Sequence, residues 1–63
     1  MIEQDYHARR AKLISEFYRL KRLRLNRSAA ARVRMIADLD FRFDGTPVER
    51  TKSLFHYQEL IAP

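Results

Sequence analysis

Asp44-Gly45-Thr46-Pro47-Val48-Glu49 is the stretch that decides how this chain folds. It holds the only glycine, followed two residues later by one of the two prolines. A glycine that closes an apolar-periodic run fits the left-handed residue ending a helix. Thr46 and Glu49, with proline at the first helical position between them, read as a capping box. The Thr46 hydroxyl would accept from the Glu49 amide, and Glu49 would reach back. The stretch predicts a corner between two helices. The helix after it should run over 47–61 and bury Val48, Leu54, Phe55 and Ile61.

Upstream of the corner, residues 1–44 contain neither glycine nor proline. That absence of breakers favours long helices. Ile2, Tyr6, Leu13, Phe17 and Leu20 recur on one face at a spacing near 3.6 residues, which predicts a helix over 2–25. Ala11, Ile14, Tyr18 and Leu25 form a second stripe beside the first, as for a helix touching two neighbours. Asp5 with Arg9 and Glu16 with Arg19 are favourable pairs along it. Asn26, Arg27 and Ser28 make the expected break, with Asn26 or Ser28 capping the next segment. The second helix then covers 28–43, with Ala29, Val33, Ile36, Leu39 and Phe43 inward and Asp38 able to pair with Arg34 and Arg42. The fold class is all-α: a compact three-helix domain over 2–25, 28–43 and 47–61.

One pattern competes. Leu39, Phe41 and Phe43 alternate with Asp38, Asp40 and Arg42, and Leu23 and Leu25 alternate with Arg22 and Arg24. Both alternations suit short strands, including one at 39–43. An isolated pair of strands this short is marginal, so the helical reading takes precedence.

With 63 residues the chain is one domain at most. A domain of this size buries roughly 60% of the surface its unfolded chain exposes. Its core supplies about 3–5 kcal/mol. There is no cysteine, which removes disulfides, zinc thiolates and thiol catalysis. The two histidines cannot close a structural metal site by themselves. No cofactor and no metal are expected, and extra stability must come from packing, a partner or a second copy. No apolar run exceeds three residues. A membrane span needs about 20, and a secretory signal needs an apolar run of about 7–15. No membrane insertion and a cytoplasmic location are therefore expected.

The net charge of +5 is unevenly spread, with +7 on residues 1–34 and −2 on residues 35–63. No acid occurs from Phe17 to Ala37, yet seven bases do: Arg19, Lys21, Arg22, Arg24, Arg27, Arg32 and Arg34. Most bases in the chain are arginine, whose planar fork suits bidentate contacts with phosphate and carboxylate. The seven are the candidate nucleic-acid contacts, because basic side chains displace the counterions of a phosphate backbone. A solvated face that keeps a small protein dissolved is the plain alternative.

Other constellations are weaker. The Gly45 corner has the skeleton of a helix-turn-helix, which would offer Glu49, Arg50, Lys52 and Ser53 to bases. An ordinary bundle corner explains it equally, and the basic density lies upstream. Most aromatics sit at core spacing, but Tyr18, Phe41 and Tyr57 fall off the main stripes. They are the candidate partner-binding residues, since aromatic and arginine side chains concentrate interface energy. Glu3 and His7, four apart, could touch one metal weakly. Asp38, Asp40 and Asp44 cluster without a neighbouring base or nucleophile, and no catalytic residue is assigned.

Two readings follow. The first is a small basic regulatory protein that binds DNA or RNA through residues 19–34. The second is a protein-binding module, an inhibitor or adaptor that docks on a larger acidic partner. A membrane-surface role for the basic first helix ranks third. A homodimer is compatible with the first two.

Overall fold

In the computed structural model the described residues, 2–55, form three α-helices and no strand. α1 spans Glu3–Arg22, α2 spans Asn26–Asp44 and α3 spans Val48–Leu54. The all-α class expected from the sequence is the one found. No helix among these residues is long and apolar enough to cross a membrane.

α1 carries Glu3 and Asp5 in its first turn and Arg19, Lys21 and Arg22 in its last. Both ends suit the helix dipole, and each such charge contributes about 0.3–1 kcal/mol at an exposed position. The helix stops three residues short of the expected Leu25. Arg24 takes a left-handed conformation with φ 60°. Its N–H donates to the Lys21 carbonyl at 3.0 Å, and the Leu25 N–H donates to the Leu20 carbonyl at 2.9 Å. These two bonds make a Schellman ending, in which glycine usually holds the left-handed position. Sequence reading missed the break because arginine stands there. Neither Asn26 nor Ser28 caps α2. Leu25 precedes its first turn, with no side-chain cap bond.

An L side chain in the left-handed region is strained by roughly 1–2 kcal/mol. Arg24→Gly relieves that strain but raises the conformational entropy of the unfolded chain, which offsets part of the gain. Its expected effect is a gain of about 0.5–1 kcal/mol, a rise in Tm of a few degrees. Arg24→Val should lower Tm. Thermal melts followed by circular dichroism check both, and a fall in Tm for Arg24→Gly would contradict the strain.

α2 is the central element, packed against both α1 and α3. Ala29, Ala30, Val33, Ile36, Ala37, Leu39 and Asp40 are buried along it. The expected stripe is widened by Ala30 and Ala37, whose small side chains let a second helix approach. Phe17, 1% exposed, is packed in one cluster with Ala29, Ala30, Val33, Leu20 and Phe55. Burying a side chain of this kind stabilises by about 1.5–3 kcal/mol. The Phe17 and Phe55 rings meet edge to face at 5.1 Å, which links α1 to the residue after α3.

Residues 39–43 are helical throughout. The apparent strand alternation arises because Asp40 points inward, at 5% exposure, and Phe41 points outward, at 56%. Several residues expected in the core lie outside it. Ile2 precedes the first turn of α1 and is exposed, and Leu25 sits in the connector. Phe43 lies at the rim, stacked on the Tyr6 ring at 3.9 Å. α3 turns Val48, Thr51 and Phe55 inward and leaves Leu54 exposed beside that stripe. Of the second stripe on α1, only Ile14 is half-buried, because α3 packs on α2 rather than along α1. The remainder of the 47–61 helix, with Ile61, falls outside the described residues.

Gly45 adopts the expected left-handed conformation, φ 77°, and its N–H donates to the Phe41 carbonyl at 2.9 Å. The capping box does not form. Asp44 takes over instead: its Oδ1 accepts from the Thr46 N–H at 3.0 Å and also from the Thr46 hydroxyl. The bond from the hydroxyl, followed by that from the backbone, holds the Asp44 carboxyl below the usual carboxylate range. With Thr46 tied back to Asp44, α3 begins after Pro47 without a side-chain cap.

Candidate nucleic-acid interface

The early end of α1 brings the basic run to one end of the hairpin. Arg19, Lys21 and Arg22 close α1, Arg24 lies in the connector, and Arg27 opens α2. All five are exposed, as is Arg34 two turns further along. Arg34 lies about 10 Å down the α2 axis from Arg27. The bases ring one end of the molecule rather than one face of a helix, since Lys21 points away from the side of α1 that Arg19 and Arg22, three residues apart, share. Among the described residues Arg19, Arg22, Arg24, Arg27 and Arg34 form no ion pair.

The first turn of α2 contains no acid and its amides have no side-chain cap. Its positive dipole end therefore adds to the charge of Arg24 and Arg27. Leu23 and Leu25 are 58% and 49% exposed between the bases. Arg32 is the exception in the predicted set. Its Nε donates to Glu16 Oε2 at 2.7 Å, and one terminal nitrogen approaches the Met35 sulfur at 3.6 Å. Arg32 thus joins α2 to α1 and is half-buried. Glu16 is spent on this contact rather than on the expected Arg19.

The predicted partner residues do not gather. Tyr18 is 55% exposed with its ring against Phe17, and Phe41 is 56% exposed near the far end of α2. Arg27, Arg34 and Phe41 recur every seven residues and so share the outer face of α2. Tyr57 lies outside the described residues. Glu49, Arg50 and Ser53 are exposed and Lys52 is half-buried on α3. α3 folds back along α2, with Thr51 bonded to Asp40 and Phe55 packed against Ala29, Ala30 and Val33, so these four residues lie along the side of α2 and not in the connector.

The three neighbouring aspartates take separate roles. Asp38 pairs with Arg42 at 3.0 Å on the surface, whereas the Arg34 pairing does not form. Asp44 builds the turn. Asp40 is the centre of a buried polar cluster that sequence reading missed. Its Oδ1 accepts from the Tyr6 hydroxyl at 2.7 Å and from Arg10 Nε at 3.0 Å. Its Oδ2 accepts from Arg10 Nη2 at 3.4 Å and from the Thr51 hydroxyl at 3.3 Å. One carboxylate thereby ties all three helices, and among the described residues no buried side-chain nitrogen or oxygen lacks a partner. Burial, then the bond to Asp40 and its charge, push the Tyr6 phenol up to about 12. The Asp40 bond also raises the Arg10 guanidinium above its ordinary value. A signal existed: Asp40 follows Val33 and Ile36 on the core stripe, and Arg10 falls between Tyr6 and Leu13. A base and an acid each displaced onto a core face imply a mutual contact. Glu3 and His7 approach to 3.6 Å on the surface of α1.

Fold and surface together define a helical hairpin with a third helix against α2, basic at its connector end and locked by one buried carboxylate. The chain matches no protein-family model, no curated protein and no solved structure.

Proposed function

We propose that this protein is a small nucleic-acid-binding regulator, acting by binding rather than catalysis. Its basic connector end would contact phosphates through Arg19, Lys21, Arg22, Arg24, Arg27 and Arg34. The supporting observation is the convergence of an acid-free run with the uncapped, positive start of α2 at one exposed end. Arg32 serves the fold first, through Glu16. The ring-like spread lets about three or four bases reach one backbone at a time. The logarithm of affinity should then fall with that of salt at a slope of about −3.

Fluorescence anisotropy of labelled duplex DNA, single-stranded DNA and RNA at two salt concentrations tests this. Reversal of both charges, Arg22→Glu with Arg24→Glu, should weaken binding at least tenfold and flatten the salt slope. Affinity unchanged by the reversal, or no binding to any of the three at low salt, would overturn the reading.

A further inference from the structure

The α1–α2 hairpin carries an open groove of ≈ 500 Å³ to which α3 contributes no residue. Its apolar strip is Leu13 from α1 with Met35 and Leu39 from α2. Met35 is 48% exposed, and its unbranched thioether adapts to the shape of whatever packs on it. Two ion pairs border the strip, Glu16 with Arg32 and Asp38 with Arg42. Arg9 and Lys12 complete the α1 wall, and neither has an ion pair among the described residues. The groove is therefore apolar along its floor and carries two unneutralised positive charges on one wall.

We infer that this groove receives an acidic amphipathic helix of a partner protein. An apolar stripe spaced i, i+3 or i+4, i+7 would lie on Leu13, Met35 and Leu39, and its flanking carboxylates would meet Arg9 and Lys12. The dimensions suit such a ligand. From Arg9 to Glu16 the wall runs about 10 Å, and from Arg32 to Arg42 about 15 Å, or two to three helical turns. Nucleic acid fits this surface poorly, because the apolar strip of Leu13, Met35 and Leu39 offers a phosphate backbone no partner, whereas the apolar stripe of a helix would cover it. A second copy would set two positively charged walls against each other. The inference is independent of the basic connector end, which uses other residues.

The two methionines of the chain, Met1 and Met35, provide a direct reporter. Methyl NMR of the full chain would be recorded with a synthetic helical peptide bearing leucines at i, i+4 and i+7 flanked by glutamates. Controls are the same peptide with lysine for glutamate, a scrambled version, and duplex DNA. The Met35 methyl should shift with the acidic peptide alone. Affinity should fall at least tenfold in the double variant Arg9→Glu with Lys12→Glu and stay unchanged in the Arg22→Glu, Arg24→Glu variant. Both pairs are exposed, and circular dichroism confirms that each variant is folded. Absence of a Met35 shift, equal affinity for the Arg9, Lys12 variant, or a shift produced by the lysine peptide would overturn the proposal. A Met35 shift caused instead by DNA, or by raising protein concentration alone, would assign the groove to nucleic acid or to a second copy and overturn it equally.

Discussion

Asp40→Ala is expected to cost about 3–5 kcal/mol, which is as much as a core of this size supplies. The variant should therefore be largely unfolded at 25 °C. The magnitude follows from what is left behind. Arg10, with 29% of its side chain exposed, loses a side-on carboxylate partner yet keeps its charge. The Tyr6 and Thr51 hydroxyls lose their acceptor in a place water reaches poorly, where both residues are buried. A buried polar group without a partner costs about 1–3 kcal/mol, and a charged one more. Asp40→Asn keeps the shape and one acceptor oxygen, so it should cost about half as much. Removing both charges together, Arg10→Met with Asp40→Leu, should lie much closer to the parent, because a buried ion pair stabilises little against a packed apolar pair. Urea unfolding of the series tests the order. An Asp40→Ala variant within about 0.5 kcal/mol of the parent would show that the cluster does not hold the helices together.

The order also bears on what this cluster is for. All of its hydrogen-bonding positions are taken by Tyr6, Arg10 and Thr51. It acts as a register pin: α1 and α3 each contact α2 at Asp40, and a slide of one turn would break three charge-assisted bonds for α1 and one for α3. Rigid placement of α1 on α2 is what builds both surfaces. It fixes the basic residues around the connector, and it holds Leu13 opposite Met35 and Leu39 in the groove.

How much of this was legible can be traced residue by residue. The corner at Gly45 was legible because only a residue without a side chain enters the left-handed region freely. The stripe Ala29, Val33, Ile36 was legible because its spacing admits one periodicity. Arg24 hid the other turn, since its left-handed conformation is imposed by the packing of α1 on α2 and carries no local signature. That error placed the break two or three residues late, yet the basic end survived it, because charge density tolerates a shift of that size. Asp40 and Phe41 misled in opposite ways. A buried acid and an exposed aromatic side by side counterfeit a strand, and only the partners Tyr6, Arg10 and Thr51, distant in sequence, explain the acid. The capping box failed for a local reason: Asp44 sits nearer to Thr46 than Glu49 does and captures its hydroxyl first.

Tyr6 supplies the second large effect, at alkaline pH. An unperturbed phenol titrates near 10. In the folded protein burial and the Asp40 carboxylate push Tyr6 up to about 12, so folding favours the neutral, protonated phenol. The sign follows directly. The raised value adds stability that is fully present below pH 10 and is lost as pH climbs through 12. Two units correspond to roughly 2–3 kcal/mol at most. Tyr6→Phe keeps the stack on Phe43 and loses the hydroxyl, which donates to a charged acceptor at 2.7 Å. That loss should cost about 1.5–2 kcal/mol at neutral pH. Lysine deprotonation affects both proteins alike and cancels in the comparison. The stability gap between parent and Tyr6→Phe should therefore stay constant up to about pH 10 and close between pH 10 and 12. Urea midpoints at pH 8 and at pH 11.5 measure it. A gap that remains unchanged at the higher pH would mean that the Tyr6 phenol is not held neutral by Asp40 and that the hydrogen bond carries less than its short distance implies.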